Sequence, residues 1–154
     1  ISMLGAPDRI VAFQQQLEDD GLNDNGHAVL LYPKTIATIQ TALLQADGQR
    51  SRRLFVSGTN ATFELCPLEQ GYVAYPKFND TPLAARFFLK EGNESFTAGE
   101  HILTFGPMRN RYIDQLEDFA AYLRGEKQNP YTLEHEHLVQ KTVLAVSGYT
   151  EWKK

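Results

Sequence analysis

The stretch "HAVLLYPKTIATIQTALL", residues 27 to 44, constrains the fold more than any other part of the chain. Two runs rich in aliphatic and β-branched residues flank a tight connection at Pro33 to Thr35, the pattern of an antiparallel hairpin. In the first run His27, Val29 and Leu31 share one face, while Ala28, Leu30 and Tyr32 share the other. Both faces lean apolar. A sheet wetted on one side would alternate more cleanly, so each face of this strand calls for a cover.

The rest of the chain extends the theme. Arg9 to Phe13 reads as a short strand, and "EDDGLNDNG" from Glu18 to Gly26 as a polar loop. "RLFVSG" and "ATFELCP" flank a turn at Gly58 to Asn60. "GYVAYP" (71–76) and "LAARFFLKEG" (83–92) add two more strands, bringing the number to about seven, and His101 is read as a loop residue.

The helices come last. In "RNRYIDQLEDFAAYLRG", residues 109 to 125, Asn110 suits a cap and Gly125 a stop. Tyr112, Leu116, Phe119, Ala120 and Leu123 fall on one stripe, which reads as packing against the sheet. A second helix starts near Thr132 and ends near Gly148. Glu134 and Glu136 suit its positive end, and Leu138, Val139, Thr142, Val146 and Tyr149 form its apolar face. Antiparallel strands followed by helices define an α+β class. The expectation is a large, mostly antiparallel open sheet of about seven strands, with two C-terminal helices packed on one face. The 154 residues fit a single domain spanning 1–154, and no internal repeat divides them.

Composition removes several functions. A formal charge of -4 supplies no basic field for nucleic acid. No apolar run approaches the roughly 20 residues that span a bilayer, so no membrane partner is expected. Cys66 is the only cysteine, which excludes an internal disulfide framework and favours a reducing, cytoplasmic setting. His135 and His137 stand two apart, so on a helix they point about 200° from each other and cannot share a metal. No glycine-rich phosphate fingerprint occurs, Cys66 has no assigned histidine partner, and neither a catalytic nor a metal-binding set is assigned. The local candidate for ligand contact is the helix start, where Arg109, Asn110, Arg111 and Tyr112 gather. Arginines offer paired hydrogen bonds to carboxylate or polyol oxygens, and a helix N-terminus favours negative charge. In the alternative reading of these four residues, Asn110 caps, Tyr112 packs and the arginines are solvated.

Four segments stand in a recognisable order: "LGAPDRIVAF", "AVLLYPKTIATIQTALL", "RLFVSGTNATFELCPL" and "RYIDQLEDFAAYLRGEKQNPYTLEHEHLVQKTVLAVSGY". Together they resemble the C-terminal domain of the Gfo/Idh/MocA oxidoreductases, the group of glucose-fructose oxidoreductase and inositol dehydrogenase. The most telling matches are Gly-Thr-x-x-Thr-Phe-Glu-Leu from Gly58 and Arg-Tyr-x-x-Gln-Leu-x-Asp-Phe from Arg111. The resemblance implies a parent enzyme whose N-terminal Rossmann domain binds NAD or NADP, with this chain forming part of the substrate cleft and of a homo-oligomer through its sheet face. The implied substrate is a sugar, polyol or related hydroxylated compound. The family's Glu-Lys-Pro lysine has no counterpart in this sequence, so the chain alone is expected to bind no cofactor and to be inactive. Two alternatives are a stand-alone α+β binding or dimerisation module, and a domain of an NAD-dependent glycoside-cleaving relative.

Overall fold

A computed structural model of the chain describes residues 1–69, 82–105 and 112–153. Its elements run β1 (Arg9–Gln15), β2 (Asn25–Leu31), β3 (Ile36–Ala42), α1 (Gly48–Ser51), β4 (Leu54–Ser57), β5 (Ala61–Leu65), β6 (Ala84–Leu89), β7 (Gly99–Thr104), α2 (Ile113–Leu123) and α3 (Leu133–Val146). They gather into two compact units, one of Ile1–Ala46 with Gln128–Lys154 and the other of Asp47–Lys127.

In the first unit the stretch 27–44 forms the expected hairpin. Leu31 pairs with Ile36, and the Tyr32 N–H donates to the Thr35 carbonyl at 2.9 Å across the connection. β1 completes an antiparallel sheet in the order β1-β2-β3, with Phe13 opposite His27 and Ile10 opposite Leu30. Strand alternation then sorts the side chains. Ile10, Ala12 and Gln14 share a face with Gly26, Ala28 and Leu30, and α3 lies against β1 and β2. Ala28 and Leu30 are buried, as are Thr142 and Ala145 of the helix. Alanines at 28 and 145 leave room for a helix to approach a sheet closely. Thr132 caps α3 by accepting from the His135 N–H at 3.2 Å, which satisfies one of the donors a helix start leaves unpaired. The chain ends of this unit are tied together where the Trp152 indole N–H donates to the carbonyl of buried Pro7 at 3.1 Å, with Lys141 over the indole ring. The other face of the sheet, carrying Val11, Phe13, Val29, Leu31 and Ile36, leaves Phe13 and Ile36 exposed.

The second unit holds an antiparallel sheet in the order β4-β5-β6-β7. Gly58 N–H donates to the Ala61 carbonyl at 2.8 Å in the expected turn between β4 and β5. Along β6 the alternation read from the sequence holds, with Ala85 and Leu89 buried and Arg86 and Phe88 exposed. His101 sits in the middle of β7, opposite Phe87, rather than in a loop. Packing accounts for this placement. Its ring lies edge-on to Phe96 at 5.3 Å between centroids, and Nε2 is 2.8 Å from the Thr97 carbonyl, contacts that the strand's register supplies.

The α+β class with antiparallel strands is therefore observed, and the seven strands among the described residues divide into sheets of three and four. The segment "GYVAYP" lies outside the described residues, and β7 is the strand that the sequence reading passed over. Of the two C-terminal helices, α3 packs on a sheet as expected. The stripe of α2 does not: Leu116, Phe119 and Leu123 are 62%, 59% and 71% exposed. Helical periodicity reports that a stripe exists, and it carries no information on what covers it. Tyr149 is likewise exposed, because α3 stops at Val146 and Gly148, at φ 75°, turns the chain away from the helix line.

Candidate functional site

Of the four residues singled out at the helix start, Arg109, Asn110 and Arg111 lie outside the described residues. Tyr112 is the residue preceding α2, with φ -115° and ψ -10°, and it is 57% exposed. Asp114 occupies the first turn of the helix, so a carboxylate already stands at its positive end. The far end is closed by Gly125 at φ 74°, whose N–H donates to the Tyr122 carbonyl at 3.0 Å. There the Arg124 guanidinium grips Glu126 through two bonds, Nε at 2.6 Å and Nη2 at 2.9 Å. That grip raises the Arg124 pKa and lowers that of Glu126. Lys127, past the end of the helix, pairs with Asp118 of α2.

One face of the four-stranded sheet in this unit has a chemistry the sequence did not display. Strand pairing puts Phe55, Glu64, Arg86 and Ile102 in one row and Ser57, Thr62, Phe88 and Glu100 in the next. Glu64 accepts from Arg86 Nη2 at 3.3 Å and stands 3.6 Å from Arg53, and Arg86 in turn is 3.8 Å from Glu100. Two guanidinium groups thus alternate with two carboxylates across the sheet. Exposed pairs of this kind add little stability, roughly 0–1 kcal/mol each. Their effect is on chemistry: both carboxylates are occupied by cations, and the face presents directed N–H groups between exposed Phe55, Phe88 and Ile102. A cleft of about 260 Å³ opens beside them, lined by Glu64, Cys66, Ala84, Ala85, Arg86 and Ile102. The Cys66 thiol stands 3.5 Å from the Arg50 carbonyl. Such a surface can bind and orient a polar molecule.

The ladder escaped the sequence reading for a definite reason. Arg86 was visible as an alternating strand residue, but Glu64 and Glu100 become its neighbours only through β5–β6 and β6–β7 pairing. The histidines stay apart. His27 is on the open face of the three-stranded sheet, His101 is in its aromatic cluster, and His135 stacks on Tyr131 at 5.0 Å. Among the described residues no group of three His, Cys, Asp or Glu side chains is placed to hold a metal ion, and no helix is long and apolar enough to cross a membrane.

Comparison with known proteins places the fold. No protein-family model matches the sequence, and no curated protein matches it. Solved structures do. The chain aligns over 99% of its length with yvaA from Bacillus subtilis, which carries an oxidoreductase assignment, at a TM-score of 0.64 and 16% identity. It aligns over 99% with YPO2259 from Yersinia pestis (TM-score 0.58, 13% identity) and over 94% with a Klebsiella pneumoniae protein (TM-score 0.60, 16% identity), both also assigned as oxidoreductases. At these identities the likeness is one of fold. The chain spans less than half of each of those proteins, 47%, 46% and 42% respectively.

Proposed function

We propose that this chain is the C-terminal substrate and oligomerisation domain of an NAD(P)-dependent oxidoreductase of the Gfo/Idh/MocA type, acting in the cytoplasm on a sugar, polyol or related hydroxylated compound. The observation that carries the reading is the alignment of nearly the whole chain with less than half of three proteins assigned as oxidoreductases. The four sequence segments that resemble the family's C-terminal domain support it. In this reading NAD or NADP is held by a Rossmann domain of the parent, and residues 109–112 face the substrate. Fold alone does not fix a reaction, so the proposal rests on testing the site.

The test uses the parent protein, cloned from the gene that encodes this chain. The reading requires a Rossmann fingerprint and a nearby histidine upstream, and NAD(P)-dependent oxidation of a sugar or polyol. Tyr112→Phe removes one hydroxyl and should lower kcat/KM by about 2- to 12-fold, the value of one neutral hydrogen bond. A parent with no nucleotide-binding domain would sink the proposal.

The open face of the three-stranded sheet favours the oligomer half of this reading. Val11, Phe13, Val29, Leu31 and Ile36 form an apolar surface without a helix over it, the kind of patch that self-association covers. Sedimentation should show a dimer or larger species that Ile36→Asp dissociates. A stable monomer at micromolar concentration contradicts it.

A further inference from the structure

We infer that the first unit carries a second small-molecule site, selective for neutral polyhydroxylated compounds, at the end of α3 over Gly26. This inference does not rest on the oxidoreductase reading and shares no residue with 109–112.

The site starts from an absent side chain. Gly26 is buried in β2, and a methyl placed on it would stand 2.8 Å from Gln14 Oε1 and 2.9 Å from Thr41 Oγ1. The Gln14 amide, with Nε2 also at 3.1 Å, and the Thr41 hydroxyl therefore pack over the bare Gly26 backbone, one from each neighbouring strand, because Gly26 pairs with Gln14 in β1 and with Thr41 in β3. Gln14 is fixed from behind: its Nε2 donates to the Val146 carbonyl at 2.9 Å. That bond uses the amide's donor side. Oε1 has no partner of its own among the described residues.

The oxygens line a cleft of about 200 Å³, roughly the liquid volume of six or seven water molecules. Asn23 and Ser147 add an amide and a hydroxyl to its wall, while Ala28, Ile39 and Val146 supply an apolar floor. No Lys, Arg, Asp or Glu lines it; Tyr149 and His27 complete the wall, and strand alternation puts the His27 side chain on the opposite face of the sheet. The nearest fixed dipole is the C-terminal end of α3, which is negative and opposes an anion. The wall thus offers uncharged donors and acceptors over a partly apolar base. A polyol matches that pattern, since each hydroxyl both donates and accepts and its C–H faces are apolar.

The experiment is a titration of the 154-residue chain with sorbitol, followed through backbone amide chemical shifts. Saturable changes are expected at Gly26, Thr41 and Ser147. Gly26→Ala, whose methyl pushes the Gln14 amide and Thr41 hydroxyl out of place, should weaken binding at least about tenfold, and Thr41→Val, which keeps the branched shape on the strand, should weaken it several-fold. The Thr41 variant keeps the test valid should the Gly26 variant fold poorly. Succinate at equal concentration should leave these amides unmoved. Absence of a saturable change, binding that both folded variants retain, or equal response to succinate would overturn the inference.

Discussion

Replacing Leu30 by Ala tests the central packing claim, that α3 covers one face of the three-stranded sheet and leaves the other open. Leu30 is 4% exposed on the helix side of β2. Truncations of buried leucine to alanine cost about 2.7–5.0 kcal/mol in a well-studied series, the spread reflecting how far the surroundings collapse. The small buried residues of this layer, Ala28 and Thr142 among them, and a helix on one side only allow partial collapse, which places the expected loss near 3 kcal/mol. With a urea m-value of about 2 kcal/mol/M, the midpoint should fall by about 1.5 M. Trp152 is the only tryptophan in the chain and belongs to the same unit, so its fluorescence follows unfolding of that unit. The matched control is Ile36→Ala, on the opposite face and 67% exposed, which should cost under about 0.5 kcal/mol in the monomer. Equal losses for the two variants, or a Leu30→Ala loss below about 1 kcal/mol, would refute the assignment of faces.

Two further outcomes follow from hydrogen bonding. Asp24 is buried and both of its carboxylate oxygens accept from the Leu17 N–H, at 3.1 and 3.0 Å, holding the loop ahead of β2; Asp24→Ala should lower stability by about 1–3 kcal/mol in the same urea assay, with Asp24→Asn intermediate. Glu134 is held below the ordinary carboxyl pKa of 4.5 by its own backbone N–H and by the Thr132 hydroxyl, so its contribution is present above pH 4.5 and lost as acid carries the pH down through the lowered value. A carboxyl titration by NMR should place the Glu134 midpoint below 4.5, and Glu134→Gln should remove the corresponding acid fraying of the first turn of α3.

The elements that were legible in the sequence are those specified by neighbours along the chain. The hairpin at 27–44, the turn at 58–60, the helix start near Thr132 and the stop at Gly125 each depend on a few adjacent residues, and each stands where expected. What was not legible depends on residues far apart. The Arg53–Glu64–Arg86–Glu100 ladder joins three strands and the residue before a fourth, and its charges become partners only after register is set. β7 is hard to read from sequence because "GEHILT" is short, opens on glycine and holds a histidine and a glutamate, which dilute strand propensity. Phe87 and Phe96 give His101 the environment that its own sequence neighbours do not announce.

The same distinction explains what the apolar surfaces mean. Val29 and Leu31 looked like core residues because alternation marks a face as apolar, and Leu116, Phe119 and Leu123 looked like core residues because of helical spacing. Periodicity fixes which side chains stand together, while the identity of the covering surface comes from elsewhere. On the helix side of β2 the cover is α3, within the same unit. On the Ile36 side and along α2, large hydrophobics remain exposed. Exposed apolar stripes on two separate elements are surfaces of the kind that association covers. The proposed oligomer would cover the sheet face. In the parent proposed above, length beyond this chain, as in each aligned protein, would supply further surface. On that proposal, substitutions in these stripes act on assembly before they act on folding.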